Sequence, residues 1–338
     1  DKSTNQYEPV FLLPTSQPFM APSYNPTRLY PRNWTVIQTF DGYESNSIIN
    51  GLYQAGKDVA VSFDGSIVAF LSTTQKTVQV WKFDGHSLSR LGETIKDPHM
   101  EASAFGSSIL VPSFIASSSF QGYVVVYYFD GSEWIQHGRR LTTDLKSVLF
   151  GTQVVLSGDA STVAVGSLDP HSNFGCIAIY KFISGDWEEM GNLFTSQQDG
   201  DKLGSSIALS DNGTIVAIGA TFDDKSPQPG YVVVYRYQSD GTWTILGDRL
   251  NGTFVGDAFG ASVALSPDGN VLVIGAPANL QIVESAGYIK RFEFNSATQR
   301  FEESGTAIFG ENGDEDHFGC GVSLCDDDST VLVGSLQS

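Results

Sequence analysis

The chain has 338 residues, with 38 acidic against 19 basic side chains and a formal net charge of −19. That balance argues against nucleic acid and anionic membrane surfaces as partners, because both need a basic footprint. No apolar run approaches the ~18 residues needed to span a bilayer, so direct membrane insertion is not expected, and a chain this long buries enough surface to need no disulfide staples.

Residues 1–32 read as an extended, proline-rich N-terminal arm, and 33–338 as the main domain. Pro14, Pro18, Pro22, Pro26 and Pro31 break any regular element between 14 and 32, leaving Tyr7 to Leu13 as the β-like part of the arm. Next comes Trp34-Thr35-Val36-Ile37-Gln38-Thr39-Phe40, a strand-like run opening on a tryptophan.

From Ala55 onward one phrase recurs to the end of the chain. Its starts are Ala55-Gly56, Phe105-Gly106, Phe150-Gly151, Leu203-Gly204, Phe259-Gly260 and Phe318-Gly319. A tight turn follows each start except the second: Asp64-Gly65, Asp159-Ala160, Asn212-Gly213, Asp268-Gly269 and Asp327-Asp328. Asp-Gly and Asn-Gly between β-branched runs predict hairpins, since the turn needs the positive φ these residues tolerate. A third strand rich in Val and Tyr comes after, as in Tyr123 to Phe129 and Tyr231 to Tyr235. A polar turn and an anchor then close each unit, the anchor paired with a later glycine: Leu88/Gly92, Trp134/Gly138, Trp187/Gly191, Trp243/Gly247 and Phe301/Gly305.

A unit of four strands repeating roughly every 45–60 residues predicts an all-β chain folded as a β-propeller of four-stranded blades. Six blades is the expected count, with seven as the alternative. The last unit holds two strands, and Trp34 looks like the anchor of an orphan fourth strand. N- and C-terminal strands are therefore expected to share one blade and close the ring, removing two open sheet edges.

Few residues offer chemistry. His86, His99, His137, His171 and His317 have no metal-ligand spacing, and no nucleophile elbow, phosphate loop or dinucleotide fingerprint occurs. The tryptophans at one repeat position read as packing anchors rather than a carbohydrate platform. Asp201 and Asp257, two residues before the Phe-Gly step or its Leu-Gly counterpart, are expected to tie down the blade-connecting turn by accepting backbone N–H bonds. Cys320 and Cys325 read as lying on opposite faces of one strand; all three cysteines are either buried thiols or, with Cys176 and one of the pair, a single bridge. Sequons at Asn33, Asn212 and Asn251, and a chain opening on Asp1 without methionine, fit a processed, secreted glycoprotein or a trimmed fragment.

The clearest copy of the phrase, Phe259-Gly260 through Gly275-Ala276-Pro277, resembles the FG-GAP repeat of integrin α-subunit propellers and of many secreted microbial and algal proteins. The likeness extends over about 55–338 through Phe150-Gly151 with Gly166-Ser167, Leu203-Gly204 with Gly219-Ala220, and Phe318-Gly319 with Gly334-Ser335. It implies an extracellular or cell-surface, non-enzymatic role in binding or adhesion, with a protein or glycan as ligand. The alternatives are a structural subunit of a wall, adhesive or filament built from copies of itself, and a polysaccharide-acting enzyme on a propeller scaffold. Integrin-type blades often carry a calcium loop, and this chain has no complete one. Of its acidic clusters, Asp199-Gly200-Asp201, Asp326-Asp327-Asp328 and the loop with Glu311, Asp314 and Asp316, the last is the first candidate for calcium.

Overall fold

The computed structural model describes residues 10–14, 34–39, 55–61, 66–72, 77–96, 107–109, 114–119, 122–143, 149–169, 171–197, 200–222, 228–277, 286–310, 317–325, 328 and 330–335. All regular structure among them is β-strand, paired antiparallel. Five four-stranded blades follow one another. Blade one comprises Ala55–Val61, Ile67–Ser72, Thr77–Phe83 and Leu88–Arg90; blade two comprises Ser107–Ile109, Phe114–Ser119, Tyr123–Phe129 and Trp134–Gln136. Blade three is built from Leu149–Leu156, Thr162–Leu168, Gly175–Ile183 and Asp186–Glu189. Blade four has Leu203–Leu209, Ile215–Ala220, Tyr231–Tyr237 and Trp243–Ile245; blade five has Ser262–Leu265, Val271–Ala276, Tyr288–Asn295 and Arg300–Glu303. The contracted second unit, which lacks an Asp-Gly turn, thus forms a blade like the others.

Each blade also carries a two-residue segment that pairs with the start of its third strand, as Leu141–Thr142 and Phe194–Thr195 do. It continues the fourth strand along the same edge after a break. The break falls at the glycine paired with each anchor, where φ is positive: +72° at Gly92, +73° at Gly138 and +77° at Gly191. An L side chain resists that conformation, so glycine is what lets the strand turn aside and resume.

The predicted hairpins form on side-chain scaffolds. In blade five Ser266 Oγ donates to Asp268 Oδ1 at 2.7 Å, and the Asn270 and Val271 amides donate back to Asp268 Oδ1 and Ser266 Oγ. Ser157/Asp159 and Ser210/Asn212 repeat the arrangement. Consecutive turns are linked as well: the Asp159 amide donates to Asp211 O, and the Asp211 amide to Pro267 O, both at 2.9 Å.

Blades stack through the parts of the repeat. Ser206 Oγ donates to Gly260 O, and Ser262 Oγ to Gly319 O, across each blade boundary at 2.7 and 2.8 Å. A Cβ on Gly219 or Gly275 would sit 2.1 Å from the same carbonyls. The Gly-Ala step of one blade therefore has to be glycine because the Phe-Gly carbonyl of the next blade rests on it. The apolar clusters likewise lie between sheets; one joins Val124 and Leu141 of blade two to Val163, Val165 and Trp187 of blade three.

Two further sheets have two strands each. Val10–Pro14 pairs with Trp34–Thr39, and Pro14 faces Trp34 as Tyr237 faces Trp243, the register of third and fourth strands. Gly321–Leu324 pairs with Val331–Gly334, and Gly321 faces Gly334 as Ser262 faces Gly275, the register of first and second strands. They are complementary halves by register. No ladder between described residues joins them into one sheet. Cys320 and Cys325 flank the strand Gly321–Leu324 instead of lying on it, and all three cysteines are free thiols, Cys176 being buried in blade three.

Candidate functional site

Antiparallel pairing places the loops between second and third strands, and those between blades, at one end of the sheets. At that end the tethering role expected of Asp201 and Asp257 is met. Asp257, 3 % exposed, accepts the amides of Thr253 and Phe254 at 3.0 and 2.8 Å and the Tyr288 hydroxyl at 2.5 Å. Asp201, 1 % exposed, accepts the Leu203 amide, the Tyr231 hydroxyl and the Ser196 hydroxyl. Burial, followed by the carboxylate partner, raises both phenols above the ordinary tyrosine range. These carboxylates hold the chain together. Beyond Asp257 the loop turns Phe254 and Val255 out to solvent.

The aromatic anchors also serve structure. Trp134, Trp187 and Trp243 each donate an indole N–H to a carbonyl of the preceding blade, Leu91 O, His137 O and Met190 O, at 2.7 to 2.9 Å. His137 stacks on Phe182 with ring centroids 3.7 Å apart, and burial lowers its pKa.

A concavity is found at one blade boundary. Between blades two and three lies a cleft of about 470 Å³, walled by Arg139, Arg140 and Leu141 from blade two and by Ala178, Tyr180 and Glu189 from blade three. Asn192 and Leu193 line it as well. At the following boundary the residues matching Leu141 and Ala178 by register are Phe194 and Val233. There Phe194 fills the space, its ring 4.6 Å from that of Tyr235. At this boundary Leu141 and Ala178 are smaller than the Phe194 and Val233 that stand in their places at the next.

Its polar groups are held in place. The Arg139 amide donates to Asp186 Oδ1 at 2.7 Å, and its guanidinium makes an exposed, long pair with Asp186 Oδ2 at 4.0 Å. The Arg140 guanidinium lies over the Tyr123 ring, 4.6 Å from its centroid. Tyr180 donates its hydroxyl to Thr142 O at 3.4 Å; burial, then the Glu189 carboxylate, push that phenol up to about 12. Two cations, one carboxylate acceptor and neutral hydroxyl and amide groups converge on a volume typical of small-ligand sites, roughly 300–1,000 Å³. Sequence reasoning passed over this place. The one signal was Arg139-Arg140 after Gly138, where the other units carry Glu93-Thr94, Asn192-Leu193, Asp248-Arg249 and Thr306-Ala307.

Of the positions singled out from sequence, Glu311, Asp314, Asp316 and Asn33 lie outside the described residues. Asn212 is exposed, but its Oδ1 takes bonds from Ser210, Thr214 N and Thr214 Oγ1 within the turn. Asn251 is exposed on the short resumed strand, with Arg249 Nε on its Oδ1. Among the described residues no group of three or more His, Cys, Asp or Glu is placed to hold a metal, and no helix is long and apolar enough to cross a membrane.

Consecutive four-stranded antiparallel sheets packed face to face define the chain as a β-propeller. No protein-family model and no curated protein sequence matches it. Solved structures do resemble it in fold. The β-propeller domain of Myceliophteria thermophila Cps50 (Swd1) aligns over 82 % of this chain and 80 % of its own, with a TM-score of 0.54 and 9 % identity. Kuenenia stuttgartiensis hydrazine synthase aligns over 83 % and 82 %, with a TM-score of 0.56 and 13 % identity. A functionally unknown protein from Desulfotomaculum acetoxidans covers 78 % and 72 %, with a TM-score of 0.52 and 15 % identity. At these identities the likeness is one of fold, and the fold hosts unrelated functions.

Proposed function

We propose that this propeller is an extracellular, non-enzymatic binding or adhesion module of FG-GAP type, recognising a protein or glycan. The observation that carries the reading is the cleft between blades two and three. This boundary is lined with charged and polar groups, Arg139, Arg140 and Glu189 among them, where the next is filled by Phe194. The Phe-Gly and Gly-Ala pairing across blades and the exposed sequon at Asn251 support the FG-GAP and secretory parts of the reading. The two terminal half-sheets, complementary in register, support six blades closed by shared strands. The test is a protein and glycan array probed with the wild-type chain and with Leu141→Phe, which closes the cleft as Phe194 does at the next boundary. A ligand captured by the wild type and lost by the variant supports the module; arrays without any cleft-dependent ligand reject it.

A second reading is a structural subunit that assembles with its own copies. Light scattering of the native protein, with and without calcium, separates the readings. A monomer favours the module, large particles favour the subunit, and a calcium-dependent mass revives the loop holding Glu311, Asp314 and Asp316.

A further inference from the structure

We propose that the cleft between blades two and three takes an acidic sugar residue, a pyranose bearing a carboxylate; this specifies the ligand class of the binding site proposed above and rests on that reading. Arg139 and Arg140 both line one wall, and arginine is the side chain suited to fork-like recognition of a carboxylate. Arg140 is oriented by its stacking on Tyr123, and the Arg139 backbone is fixed by Asp186.

Glu189 on the opposite wall decides between kinds of anion. A carboxylate only accepts hydrogen bonds, so a bare sulfate, which has no donor, gains nothing from it and is repelled, and a phosphate has at most one or two hydroxyls to offer. A ligand that suits both walls carries a negative group at one end and hydroxyl donors at the other. Thr142, Thr143 and Asn192 add neutral donors and acceptors between them, matching a ring of hydroxyls better than the single ammonium of an amino acid. Leu193, 42 % exposed, offers an apolar surface to the C–H face of a pyranose. The net charge of −19 disfavours long polyanions, so the site suits one acidic residue within a largely neutral chain.

The experiment is titration calorimetry of the full chain with galacturonic and glucuronic acids, with galactose and glucose, and with acetate. Its variants are Arg139→Gln with Arg140→Gln, which are exposed and leave the core intact, and the cleft-filling Leu141→Phe and Ala178→Val. Melting curves establish that each variant folds. Uronates should bind saturably, about tenfold or more tighter than the neutral sugars and than acetate, and the arginine variant should lose that margin. Rising salt should weaken the uronates selectively. Equal affinity for neutral and acidic sugars, abolished by Leu141→Phe, overturns the acidic class while leaving the cleft as the binding site. Uronate binding that survives both filling variants overturns the cleft itself. If no sugar or acetate binds while an array ligand is lost in Leu141→Phe, the sugar assignment falls and the binding module stands; if the array also shows no cleft-dependent ligand, both fall.

Discussion

Gly138 lies against the indole of Trp187: a Cβ placed on it would come 2.7 Å from Trp187 Cδ1, with φ at +73°. The carbonyl just before it, His137 O, receives the Trp187 indole N–H at 2.7 Å. Glycine and tryptophan are therefore one lock between blades two and three, repeated by Gly92 with Trp134 and by Gly191 with Trp243.

Gly138→Ala should accordingly lose roughly 2–4 kcal/mol, combining left-handed backbone strain with overpacking against the indole. Gly305→Ala is the control. Its φ is +87° but nothing lies within 4 Å of the added methyl. It should lose only the backbone part, about 1–2 kcal/mol. Urea midpoints of the two variants check the difference, and equal losses would mean that the indole contact is unimportant.

Asp257→Ala strands the amides of Thr253 and Phe254 and the Tyr288 hydroxyl in a buried site, and should destabilise by roughly 3 kcal/mol or more. Asp257→Asn keeps one acceptor oxygen and should cost about half as much. The same denaturant measurement reads both, ideally with amide exchange at Thr253 and Phe254 to localise the damage.

Alkaline pH should unfold this protein through its phenols. Tyr180, Tyr231 and Tyr288 hold their protons above the ordinary value of 10.0, first because burial opposes the phenolate and then because Glu189, Asp201 and Asp257 lie beside them. The folded state thus binds the proton more tightly than the unfolded one. Their contribution is fully present below 10.0 and drains away as pH rises through the folded values, about 12 for Tyr180. The melting temperature should hold to the edge of that window and then fall; Tyr231→Phe with Tyr288→Phe should flatten the fall. An unchanged slope in the double variant would count against the assignment.

Thiol labelling should separate the cysteines by burial. Cys325 is exposed and should react first, whereas burial raises the Cys176 thiol and hides it from reagent until urea opens blade three. Mass spectrometry of briefly labelled protein gives the order. In a secretory host, Asn251 should carry glycan before Asn212, whose sequon is folded into a tight hairpin turn with Gly213 buried at φ +66°, and Asn251→Gln should remove one glycan mass.

The sequence by itself determined the repeat, the hairpins and the tethering carboxylates, because each depends on residues close together in the chain. Asp268 and Gly269 make their turn with neighbours such as Ser266 and Asn270, and Asp257 meets the backbone of its own loop. The Trp-and-Gly spacing within a unit was also readable, but its partners were not: Gly138 answers to Trp187 of the next blade and not to Trp134 of its own. Contacts across a boundary join residues some fifty positions apart, and local pattern carries no record of which unit meets which. The cleft was hidden for a related reason. Whether Leu141 and Ala178 leave a space depends on the summed volumes of two blades and on Tyr180 beneath them, and only packing in three dimensions performs that sum.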